Sequence, residues 1–82
     1  MEANRKAAVQ RSDVKKFMYR VLEESKRPRD AKYLHGKVRY QRKIPVSIGY
    51  VRQCLREMTT TDQMLDKERK GRTIEYSPRP DG

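Results

Sequence analysis

The stretch Ile44–Met58, "IPVSIGYVRQCLREM", decides the reading of the chain. A proline turn leads into Ser47, a residue suited to cap a helix, because its hydroxyl can accept a hydrogen bond from the first free backbone N–H groups. Ile48, Val51, Leu55 and Met58 then recur at helical spacing and predict a buried stripe, with Cys54 at its edge. Gly49, Gln53 and Thr60 fall on the opposite side, flanked by Tyr50, Arg52, Arg56 and Glu57. Such residues either keep a surface helix wet or read a partner.

Upstream, Val14, Phe17, Met18, Val21 and Leu22 keep 3/4 spacing and predict a helix of about three turns. Ser12 is its expected N-cap, with Asp13 in the first turn. Pro28 cannot continue a helix and pushes Arg27 to extended geometry, so the end is expected near Ser25, with "KRPR" as a very short strand. Asp30 is placed to cap a second helix, whose buried face carries Ala31, Leu34 and Val38. Lys32, Arg39 and Lys43 share an outward face if that helix reaches Lys43, and Gly36 lies on the same side. Beyond the third helix, three threonines and Asp62 predict a stop. The segments "QMLDK" and "RTIEYS" then predict a hairpin around "ERKG", with Gly71 free to adopt positive φ. Ile74 and Tyr76 are expected to face the core opposite Met64 or Leu65.

Composition narrows the function classes. Eighty-two residues suffice for one small domain. Twenty-one Lys and Arg against eleven Asp and Glu give a net charge of +10. Self-repulsion of that size favours a polyanionic partner, with nucleic acid before an anionic membrane surface. The excess is concentrated: residues 26–43 hold eight basic and one acidic side chain, a net +7, whereas 62–82 balance at five each. One cysteine makes no internal disulfide and fits a reducing compartment. No stretch approaches the ~18 apolar residues of a membrane span, and the N-terminus lacks the apolar core of a secretory signal. A soluble intracellular protein is expected, cytoplasmic and nucleoid-associated, or nuclear in a eukaryote. One Cys and one His provide no zinc-ligand set, and His35 reads as structural or solvent-facing. No cofactor, catalytic constellation, membrane contact or small-molecule ligand is expected.

The order helix, connector, helix, proline turn, helix, basic hairpin resembles a winged helix-turn-helix DNA-binding domain. The resemblance covers residues 12–77 and rests on "DAKYLHGKV" as second helix, "KIPVS" as turn, "SIGYVRQCLREM" as recognition helix and "MLDKERKGRTIEY" as wing. It implies a mostly α protein with a small β-hairpin (α+β), of three helices and a C-terminal wing. Residues 1–11 would form a tail or helix extension, and 78–82 a disordered tail. It implies a sequence-specific double-stranded DNA-binding protein, a small transcriptional regulator. Carried over by position, Tyr50, Gln53 and Arg56 would meet bases, and Gly49 would let the helix come close. Ser47, Arg52, Lys32, Lys37, Arg39, Arg42 and Lys43 would meet the DNA backbone, as would Arg69, Lys70 and Arg72 from the wing. A homodimer would supply two half-sites, with the first helix and the N-terminal residues Ala3, Ala7, Ala8 and Val9 as contributors. Two alternatives stay open: an RNA-binding module using the same basic surface and its tyrosines, and a winged-helix module for protein contacts. A charged helix face is, in most proteins, merely solvated.

Overall fold

The computed structural model describes residues 11–79. Of the expected N-terminal tail or helix extension over 1–11, residues 1–10, with the dimer contributors among them, lie outside the described residues, as do 80–82, whereas Arg11 belongs to the first helix. Helix α1 (Arg11–Ser25) leads to a two-residue strand β1 (Arg29–Asp30). Helices α2 (Ala31–Gln41) and α3 (Ile48–Thr59) follow, then strands β2 (Leu65–Lys70) and β3 (Thr73–Pro78). The strands form an antiparallel sheet in the order β1-β3-β2. Over the described residues the result is a small α+β domain of three helices and one three-stranded sheet, an order compatible with a winged-helix layout.

Two predicted caps are in place. The Asp30 carboxylate accepts the Tyr33 N–H at 2.9 Å, and the Ser47 hydroxyl accepts the Tyr50 N–H at 3.1 Å. Ser12 instead lies inside α1, which already includes Arg11, so it is not the cap of that helix. Each helix is followed by a non-glycine residue with left-handed backbone: Lys26 (φ 59°), Lys43 (φ 58°) and Gln63 (φ 54°). Lys43 therefore belongs to the turn rather than to α2, and the expected continuous face Lys32–Arg39–Lys43 ends at Gln41. The reversal lets the Ile44 N–H return to the Val38 carbonyl at 3.2 Å. The same device closes α3, where Gln63 rather than Asp62 takes the turn conformation and the Met64 N–H reaches the Met58 carbonyl at 2.7 Å. Thr59 and Thr60 hydroxyls both donate to the Arg56 carbonyl, competing with helical propagation as expected of threonine.

The core joins Val14, Met18 and Leu22 of α1 to Leu34 and Val38 of α2. Val51, Leu55 and Met58 of α3 close it from the other side, and the sheet adds Leu65 and Tyr76. Cys54 is not at the edge but fully buried, while Phe17 and Ile48 are only half-buried. His35 ties the inter-helix turn, with Nε2 2.8 Å from the Val46 carbonyl oxygen. An ion-pair network links α1 to the end of α3: Arg11–Glu57 (2.6 Å), Lys15–Glu57 (2.9 Å) and Lys15–Asp62 (2.8 Å).

The hairpin departs from expectation in three ways. Its turn is only Gly71–Arg72, with positive φ at the glycine, the pattern of a type II′ turn. Glu68, Arg69 and Lys70 accordingly lie in β2, not in a loop. Ile74 is exposed (37%), because it pairs with Arg69 near the tip, where the sheet has run past the helices. At the other end, β3 continues through Pro78, and Arg79 is tied back by its N–H to the Met64 carbonyl (2.9 Å) and by Nε to Asp66 (3.1 Å). The ordered unit thus passes the expected boundary at 77.

Candidate functional site

Cross-strand partners point to the same side of a sheet. Leu65 and Tyr76 are buried, so the residues in phase with them, Lys67 and Arg69 on β2 and Ile74 on β3, share the helix-facing side. Asp66, Glu68 and Glu75 fall on the other side. The balanced charge of this segment is therefore sorted: basic toward the helices, mainly acidic outward. As the hairpin projects beyond the core, its inner face changes from apolar to cationic.

A cleft lies where that inner face meets α3 and the start of α2. Five cations border it: Lys32 from α2, Arg52 and Arg56 from α3, Lys67 from β2 and Arg72 from the turn. Ile74 and Tyr76 form its apolar back. Asp30 contributes a carboxylate, but that group is engaged as the cap of α2. Burial pushes the Tyr76 phenol above its ordinary range, and the nearby positive charges of Arg52 and Arg56 partly offset this. Arg52 and Arg56 are exposed and one helical turn apart, so both present their guanidinium groups along one edge of α3.

Of the residues expected at a binding surface, Lys32, Arg52, Arg56 and Arg72 are brought together here. Gln53 is exposed on α3, about 100° around from Arg52, with Arg56 and Gly49 between them. Tyr50 stands about 160° from Arg52 and is half-buried, its ring beneath Arg11 at 5.4 Å. Tyr50 thus lies toward α1 and not in the cleft. The Ser47 hydroxyl is engaged as a cap. Arg69 and Lys70 are exposed on β2, with Arg69 Nε 3.3 Å from the Gly71 carbonyl. Arg39 lies over the exposed Tyr40 ring at 5.8 Å, and Lys43 is exposed in the turn. Lys37 and Arg42 belong to a different cleft, between α1 and α2.

Lys67 is the cleft residue that sequence reading missed. Its signal was the two-residue period from Leu65, which becomes usable once Leu65 rather than Met64 is the buried residue. Glu57 has a structural role instead: the Lys15 ammonium, with help from Arg11, holds its carboxyl below the usual range. Burial pushes the Cys54 thiol upward, away from the reactive thiolate form. Among the described residues, no three His, Cys, Asp or Glu side chains gather where they could hold a metal ion, and no helix is long and apolar enough to cross a membrane. Comparisons with protein families, curated proteins and solved structures give no match for this chain.

Proposed function

We propose that the chain is a small winged-helix protein that binds double-stranded DNA sequence-specifically and acts in transcriptional regulation. The observation that carries this reading is the cleft itself: α2, α3, β2 and the hairpin turn deliver five cations to one groove between α3 and the hairpin. In the proposed complex α3 enters the major groove, which is wide enough for a helix. One phosphate strand lies in the cleft, held by Lys32, Arg52, Lys67 and Arg72. Gln53 and Arg56 project from the exposed edge of α3 toward base edges, where Gln suits adenine and Arg suits guanine. A homodimer on two half-sites would raise the affinity of one module.

The test is fluorescence anisotropy with labelled duplex DNA, structured RNA and single-stranded DNA at several salt concentrations. With about five phosphate contacts per subunit, the log–log salt slope for duplex DNA should be about −4 to −5. Replacing Lys67 and Arg72 with Gln should flatten it by up to about two units. Tighter binding to structured RNA than to duplex DNA would assign the cleft to RNA. Absence of binding to all three would leave the fold serving protein contacts.

A further inference from the structure

The basic segment 26–43 does not converge on one face. Tyr33, Lys37 and Gln41 lie about 100°, 140° and 180° around α2 from Lys32 and form a wall of a second cleft, between α1, β1 and α2. This cleft encloses about 550 Å³, within the range of small-ligand sites. Arg20 of α1, Arg29 of β1, Lys37 of α2 and Arg42 beyond it all border the space, against one carboxylate, Glu24. Among the described residues, none of the four cations is ion-paired with a carboxylate.

Three of these cations are backed by aromatic rings. The Arg29 guanidinium carbon lies 4.2 Å from the Tyr33 ring centre, and Lys37 Nζ lies 5.6 Å from it. The Arg42 guanidinium carbon lies 5.6 Å from the Phe17 ring centre. A guanidinium stacked on a ring keeps its N–H edge available, and that planar edge matches the oxygens of a phosphate. Arg29 Nε is moreover buried with no hydrogen-bond partner among the described residues. A buried donor left unsatisfied calls for a reason beyond packing. Four like charges around one concavity also repel one another, and an anion would relieve that repulsion.

We infer that the cleft between α1, β1 and α2 binds a small ligand of nucleotide size that carries two or more phosphoryl groups. The phosphoryl oxygens engage Arg29, Lys37 and Arg42, and Phe17 with the aliphatic edge of Val21 supplies the apolar side. The site is separate from the cleft beside α3, so it stands or falls independently of DNA binding there.

The experiment is isothermal titration of the full chain with ATP, pyrophosphate and adenosine at constant ionic strength. ATP and pyrophosphate should bind saturably and adenosine should not. Arg42→Gln and Lys37→Gln, both outside the buried core, should each weaken ATP by about ten-fold. The double variant Arg52→Gln/Arg56→Gln should change it by less than about two-fold. No binding of ATP would overturn the inference. So would an equal loss in the Arg52/Arg56 variant, because the effect would then be one of net charge. A single-stranded oligonucleotide that binds at Arg42 and Lys37 without competition from ATP would overturn it in favour of a second nucleic-acid surface.

Discussion

Leu55 and Ile74 are both aliphatic and both on core-facing sides of their elements, yet only Leu55 is sealed from water. Leu55→Ala should therefore cost about 2–5 kcal/mol, through lost transfer energy and a cavity. Ile74→Ala should cost under about 1 kcal/mol, since its atoms are already partly solvated. Chemical denaturation of the two variants gives the comparison, and equal losses would contradict the placement of Ile74. The alternation of β3 told which side Ile74 occupies; it carried no information on how far along the strand the helices still cover that side. Glu57 shows a second limit, because its partners Arg11 and Lys15 are more than forty residues away in sequence. Its carboxyl is held below the usual range by the Lys15 hydrogen bond first, and by the charge of Arg11. A depressed folded-state value contributes stability above the unfolded value, about pH 4.3, and loses it as pH falls through the folded value. Wild type should thus melt above Glu57→Gln at pH 7, with the gap narrowing as pH falls below the unfolded value. A gap in melting temperature that does not narrow on acidification would show that something other than ionisation holds α1 to α3.

The starts of α2 and α3 were legible, as were the end of α1 at Ser25 and the stop of α3 at the threonines; the start of α1 and the residues that reverse the chain after each helix were not. Asp30 and Ser47 act locally, each through one hydrogen bond to a backbone N–H three residues on, so sequence suffices to place them. The ends depend on Lys26, Lys43 and Gln63 adopting left-handed backbone, which for a non-glycine residue costs about 1–2 kcal/mol and has no compositional mark. The hairpin turn was half-legible: Gly71 marks it, but the cationic residues before it extend β2 instead of widening the loop. Glycines within helices raise a different question. A Cβ at Gly49 would meet only the Ser47 hydroxyl oxygen, at an ordinary 3.7 Å. The fold therefore does not require glycine there, and an exposed helical glycine costs about 1 kcal/mol relative to alanine. Its position on the exposed arc of α3 suits close approach of a partner instead. Gly49→Ala should raise thermal stability, by up to about 1 kcal/mol, and weaken duplex DNA binding. Differential scanning calorimetry and anisotropy on the same preparation check both halves. A variant that is more stable and binds equally well would remove close approach as the reason for this glycine.

At the scale of the molecule, charge is organised by surface and not by stretch. The net +7 of residues 26–43 is visible in the sequence, but the fold sends Lys32 to one cleft and Arg29, Lys37 and Arg42 to another, while Lys26, Arg27, Arg39 and Lys43 line neither. The 62–82 segment is neutral in sum, yet it delivers Lys67 to the groove beside α3 through strand parity, and Arg72, expected as a wing contact, from the turn. Those two residues and Gln53 allow holding to be distinguished from reading. Lys67 and Arg72 border the cleft proposed for a phosphate strand, and phosphates are the same in every sequence. Replacing both with Ala should weaken cognate and random duplexes alike, leaving their ratio nearly fixed. Gln53 is neutral, exposed and outside the core, so its truncation changes neither net charge nor packing. If it reads a base edge, Gln53→Ala should cost about 1–3 kcal/mol on the cognate site and much less on random DNA. The cognate duplex would first be selected from a random pool with the wild-type chain. Melting temperatures of both variants should stay near wild type, which separates the effect from unfolding. Equal losses on both duplexes for Gln53→Ala would make α3 a holding element, and the chain a binder of DNA shape and charge rather than of sequence.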